Sequence, residues 1–200
     1  MAENNNTQKQ NTSHGEINFL ELGRKISEKN QSLNITAKDY MCPIILGCHD
    51  NGQSESDMTL LKTRCNNEGF SNAITIKAIP IPNDNSIPPS LTYSDKFNIL
   101  IKLLGEKKIY AMPVFYIHPT INEGHGKGLI CEYLDIINIH SYLREFCIVL
   151  RHPNADFIEQ INLLHPSNVY DVTTIEEAAD SLIGHLNGQL PFIRRIFFNG

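Results

Sequence analysis

Apolar and polar positions along this chain fall into short continuous apolar runs separated by stretches with helical spacing. Residues 17–29 carry Phe19, Leu20, Leu22 and Ile26, a pattern that predicts a short amphipathic helix. Pro43-Ile44-Ile45-Leu46-Gly47-Cys48 is an unbroken apolar run, which suits a strand buried on both faces. Ser54 follows with Asp57 three residues on, the pattern of a capping box, and Met58, Leu61 and Cys65 share one face of the predicted helix behind it. Residues 73–79 are β-branched and predict a second strand. A Pro/Asn-rich loop follows over 80–89. Ser94 opens a helix with Phe97, Leu100, Ile101 and Leu104 on one face, and Gly105 is placed to close it.

Residues 109–117 predict a third strand and 146–150 a fourth. Between them a glycine-rich loop leads into a helix that ends near His140. Residues 156–164 read as helical, and Val169-Tyr170-Asp171-Val172 as a short strand at the sheet's edge. Thr174-Ile175-Glu176-Glu177 is a capping box, and Ile175, Ala178, Ala179, Leu182, Ile183 and Leu186 form the last apolar stripe. The apolar end, Leu190 to Phe198, predicts packing on the core or on a second copy of the chain.

Strands alternating with helices at this spacing predict an α/β fold: a three-layer, flavodoxin-like or Rossmann-like parallel sheet of about five strands, order 2-1-3-4-5, with helices on both faces. The chain divides into a disordered polar tail over 1–16, an N-terminal helix and lead-in over 17–40, and a single α/β domain over 41–200. In such sheets ligands bind beyond the carboxyl ends of the strands. Three loops leave those ends here, and they are rich in His, Gly and charge: residues 48–52, 118–128 and 151–154.

Composition narrows the function classes. The net charge of −5, with no Lys/Arg cluster, argues against a nucleic-acid partner. No apolar run reaches the roughly 18–20 residues of a membrane span, and the polar start matches no signal peptide, so a cytoplasmic chain without a membrane partner is expected. The five cysteines, Cys42, Cys48, Cys65, Cys131 and Cys147, form no Cys-x-x-Cys pair and read as reduced, mostly buried thiols. His49, His118, His125 and His152 lie in the three loops, but none has the helical spacing of a metal motif, so neither a metal nor a cofactor is expected.

The most suggestive chemistry lies in Gly124-His125-Gly126-Lys127-Gly128 and the helix that follows. Glycines let a backbone approach a ligand closely. A helix start favours phosphate or sugar oxygens. Glu132, a turn inside the expected start, would stand beside that cradle in ionised form. His49, Asp50, Ser54, His118, Gly126, Gly128 and Arg151 are the candidate substrate-binding residues around it.

Gly128-Leu129-Ile130-Cys131-Glu132, after a strand and a polar loop, resembles the Gly-x-x-x-Glu helix start of the nucleoside 2-deoxyribosyltransferase-like superfamily and the related TIR-like NAD-cleaving domains. The order of elements over residues 42–188 matches as well. The resemblance implies N-glycosidic bond cleavage or transfer on a nucleoside, nucleotide or NAD-like ligand, with Glu132 as the catalytic carboxylate at the anomeric carbon. Two family features are missing: the aspartate usual before the glycine, and the glycine common after the glutamate. Their absence keeps open a non-enzymatic nucleotide-sensing or protein-interaction module on the same scaffold. A homodimer through the apolar C-terminal end is the other expected partnership.

Overall fold

Met41–Leu46 (β1), Ile74–Thr75 (β2), Tyr110–Ile117 (β3), Ile148–Arg151 (β4) and Asn168–Asp171 (β5) form one sheet in the order β2-β1-β3-β4-β5, and every pairing is parallel. This is the predicted 2-1-3-4-5 order. The computed structural model describes residues 36–47, 52–76, 93–118, 123–155 and 166–198. The helices predicted at 17–29 and 156–164, the polar tail and the Pro/Asn loop lie outside the described residues.

Among the described residues three helices lie between strands, α1 (Gly52–Asn67), α2 (Tyr93–Glu106) and α3 (Glu123–Asn138), and a fourth, α4 (Ile175–Phe198), follows β5. Short 3-10 turns span Ala37–Tyr40 and Ser141–Phe146. Alternation along the strands assigns the helices to two faces. Cys42, Ile44, Leu46, Phe115, Ile117 and Val149 join one core with Phe97, Leu100 and Leu104 of α2 and Leu129, Tyr133 and Ile136 of α3. Met41, Ile45, Met112, Val114, Tyr116, Ile148 and Leu150 join the other with Met58 and Leu61 of α1 and Ala178 and Leu182 of α4. Every residue of β1 is buried, as a strand covered on both sides requires. Gly47 follows it at a close crossing: a Cβ there would lie 2.4 Å from Met58 Sδ.

Helix boundaries depart from the pattern in four places. α1 begins at Gly52, so Ser54 is inside the helix and fully buried rather than at its cap. α3 begins at Glu123, so the three glycines expected in a loop occupy its first turns. The stripe of Leu129, Tyr133 and Ile136 anchors that helix on the sheet, and cooperative extension from it offsets roughly 1 kcal/mol per glycine. The apolar C-terminal end is the continuation of α4 through Pro191, with Ile193 fully buried and Phe197 stacked on Tyr40 at 4.3 Å.

α2 does not close at Gly105. It runs to Glu106 and ends in a Schellman arrangement, with Ile109 N–H donating to the Leu104 carbonyl at 2.9 Å and Lys108 N–H to that of Gly105 at 3.1 Å. The left-handed residue that this ending needs is Lys108, at φ 57°. A Cβ there is strained where glycine is not. Lys108→Gly is therefore expected to raise unfolding free energy by about 0.5–1 kcal/mol in urea titrations. An unchanged or lower value would show that the lysine side chain makes up the difference.

Candidate functional site

Among the described residues Asp57 is the centre of a polar site at the carboxyl edge of the sheet. It lies in the second turn of α1, on the stripe shared with Ser54, Met58 and Leu61, and is 7% exposed. Gln53, one turn earlier, donates its amide to Asp57 Oδ1 at 2.8 Å. The Tyr116 hydroxyl donates to Oδ2 at 2.8 Å. His118 Nε2 stands 3.5 Å from the same oxygen. Tyr116 and His118 reach Asp57 together because residues two apart on β3 point to the same face, here that of α1 and α4.

The electrostatics follow from burial. Desolvation first, then the hydrogen bond and charge of Asp57, hold the Tyr116 phenol well above its ordinary range, so it stays a donor. Desolvation lowers the His118 pKa and neighbouring His152 lowers it further, against the opposing pull of Asp57. His118 is therefore neutral at pH 7. His152 follows β4, and its Nδ1 accepts the Asn154 backbone N–H at 3.1 Å. With Nδ1 accepting, Nε2 is the ring nitrogen left to donate.

The start of α4 completes the wall. Thr174 caps it, accepting the Glu177 N–H at 3.1 Å, while the Glu177 carboxylate accepts the Thr173 N–H at 2.8 Å and hydroxyl at 2.7 Å. The capping box read from Thr174 to Glu177 thus forms. Gln53, Asp57, Tyr116, His118, His152 and residues 172–176 enclose a cavity of about 330 Å³ at the carboxyl edge of the sheet. Its wall offers two carboxylates, Asp57 and Glu176, two imidazoles, a phenol and the start of a helix. That set can orient sugar hydroxyls, hold an anionic group and move a proton.

Glu132 is elsewhere. It is 4% exposed on α3, the helix packed with α2 against the opposite face of the sheet, and it is not among the described residues lining the cavity. Nine residues at 1.5 Å put it roughly 13 Å along the axis from the start of α3, beyond the first turn where a helix dipole acts. Burial, with Asp135 adding to it, pushes its pKa up to about 8. The expected ionised carboxylate at a helix start is instead a protonated carboxyl inside a packed layer. Asp135 beside it is held by the Asn98 amide at 3.1 Å, and His140 contacts Asn98 Oδ1 at 2.7 Å.

The other expected site residues divide similarly. His118 lines the cavity. Arg151 ends β4 and reaches across to its register partner Asp171, Nε to Oδ1 at 2.5 Å, which holds the Asp171 carboxyl below its ordinary range. Ser54 is fully buried and is not among the described residues lining the cavity, and Gly126 and Gly128 lie within α3. His49 and Asp50 fall outside the described residues.

Asp57, Tyr116 and Gln53 were missed. The signal for Asp57 was present: a carboxylate at i+3 from Ser54 and i−4 from Leu61 sits on the buried stripe, where an acid needs partners or a cleft. Tyr116 carried a weaker one, its parity with His118. Among the described residues no group of three His, Cys, Asp or Glu side chains is placed to share a metal ion. No helix among them is long and apolar enough to cross a membrane. Comparison with family models, curated proteins and solved structures finds no match to this chain.

Proposed function

We propose that the protein binds a nucleoside or nucleoside monophosphate in the carboxyl-edge cavity and cleaves or transfers its N-glycosidic bond, with Asp57 rather than Glu132 as the carboxylate. The observation that carries this reading is the meeting of Asp57, Tyr116, His118 and His152 with the start of α4 around one cavity. Breaking the bond from C1′ to the base nitrogen builds positive charge on the sugar, which a nearby carboxylate stabilises. The departing base takes up a proton from water, and the His152 Nε2–H on the wall can donate a hydrogen bond to the nitrogen that gains charge. Water or a second base then adds at C1′. Tyr116 and Gln53 fix the Asp57 oxygens in place.

Size favours the smaller ligands. At about 330 Å³ the cavity lies at the low end of the roughly 300–1,000 Å³ typical of ligand sites, closer to a nucleoside than to a dinucleotide such as NAD. The test is incubation of the purified chain with nucleosides, nucleoside monophosphates and NAD, assayed for free base and for thermal shift. Base release from a nucleoside or its monophosphate supports the proposal. A thermal shift without free base would leave a sensor in place of an enzyme. Neither response would end both readings.

A further inference from the structure

We propose a second ligand site, at the amino edge of the sheet, that takes a compact aromatic carboxylate. Ile101, Gly105, Lys108, Tyr110, Tyr142 and Phe197 are on the wall of a cavity of about 310 Å³ there. It is separate from the carboxyl-edge site. Tyr110 starts β3 and Ile117 ends it, so the two cavities are roughly 23 Å apart along the strand at 3.3 Å per residue.

The wall sets the chemistry of the occupant. Tyr110 and Phe197 meet edge to face, with centroids 5.9 Å apart at 87°, and Tyr142 is 60% exposed beside them. Aromatic walls of this kind favour a flat aromatic body. Tyrosine hydroxyls supply hydrogen-bond donors, and Lys108 is the only charged residue among the described ones on the wall. A single ammonium beside an apolar cleft selects one anionic group on an otherwise apolar molecule. Gly105 leaves the space open: a Cβ built there meets nothing within 4 Å. The volume limits the guest to a compact body.

The probe is 2-naphthoate, titrated calorimetrically into the full chain at pH 7, with 2-naphthalenemethanol and 2-naphthylmethylamine as the neutral and cationic counterparts. Saturable one-to-one binding of the naphthoate is expected, about tenfold or more tighter than the amine. Lys108→Gly keeps the left-handed backbone and removes the ammonium. It should weaken naphthoate about tenfold and leave the alcohol unchanged. Gly105→Leu fills the space and should abolish binding of both, with the cooperative unfolding transition retained. No saturable binding, equal affinity for acid and amine, or undiminished binding by the folded Gly105→Leu variant would each overturn the proposal.

Discussion

Glu132→Gln is expected to remove a steep loss of stability between pH 6.5 and pH 8 and to leave the chain more stable than the parent at alkaline pH. In the unfolded chain this carboxyl titrates at its ordinary 4.5; in the folded chain burial, aided by Asp135, moves it to about 8. Between those values the folded protein holds a proton that the unfolded chain has released. Stability from this group is therefore complete below pH 4.5 and falls as pH rises, until the folded group ionises near 8. The full span corresponds to roughly 5 kcal/mol at about 1.4 kcal/mol per unit. The part between pH 6.5 and 8 corresponds to about 2 kcal/mol.

Three buried or half-buried histidines run the other way and so separate from it. Burial lowers the pKa values of His118, His140 and His185, so these rings stay neutral while their unfolded counterparts protonate. Their contribution is present above the unfolded value of 6.5 and is lost as pH falls through and below it. Between pH 6.5 and 8 the falling slope thus belongs to Glu132, whereas above pH 8 the thiols of Cys42, Cys65 and Cys147, raised by burial, add a fall of the same sign. Urea unfolding at pH 5, 6.5 and 8 measures it: the parent should weaken between pH 6.5 and 8 and Glu132→Gln should not. Parallel curves would mean that Glu132 is ionised in the fold, reached by water or a cation, and its candidacy as the sugar-facing carboxylate would return.

Burial of the central strands was legible because a parallel strand covered on both faces must be largely apolar, and β1, β3 and β4 each show such a run; the order 2-1-3-4-5 was legible only by analogy with flavodoxin-like sheets. The starts of α1 and α3 were not, because glycine and capping residues suggest a boundary that packing overrides. In α3 that error propagated to the site. With a loop assumed through Gly128, Glu132 fell in a first turn. With the helix starting at Glu123, Glu132 falls at i+3 from Leu129 and i−4 from Ile136, inside the buried stripe. Asp57 occupies the same kind of position on α1. What distinguishes the two acids is their surroundings: the ends of β3 and β4 and the start of α4 around a cavity for Asp57, the packed layer that α3 shares with α2 for Glu132. No helical periodicity contains that information, since it depends on which face of the sheet each crossover chooses.

Asp57→Asn should lower the rate of base release roughly 100- to 1,000-fold, the usual loss when a charge-stabilising group is removed from a transition state. The substitution keeps the shape of the side chain and an oxygen to accept the Tyr116 hydroxyl, so its effect on unfolding should stay near 1 kcal/mol. Asp57→Ala is the harsher variant. It strands the Tyr116 hydroxyl on a side chain 5% exposed, which adds roughly 1–3 kcal/mol of destabilisation. Tyr116→Phe separates holding from chemistry: with the carboxylate present but less well fixed, kcat should fall by much less than in Asp57→Asn while KM shifts little. Kinetics of these variants beside Glu132→Gln decide which carboxylate works. Loss in Asp57→Asn with activity kept in Glu132→Gln places the chemistry in the carboxyl-edge cavity. The reverse pattern would move it to the α2–α3 face, and the cavity around Asp57 would then have to be explained without catalysis.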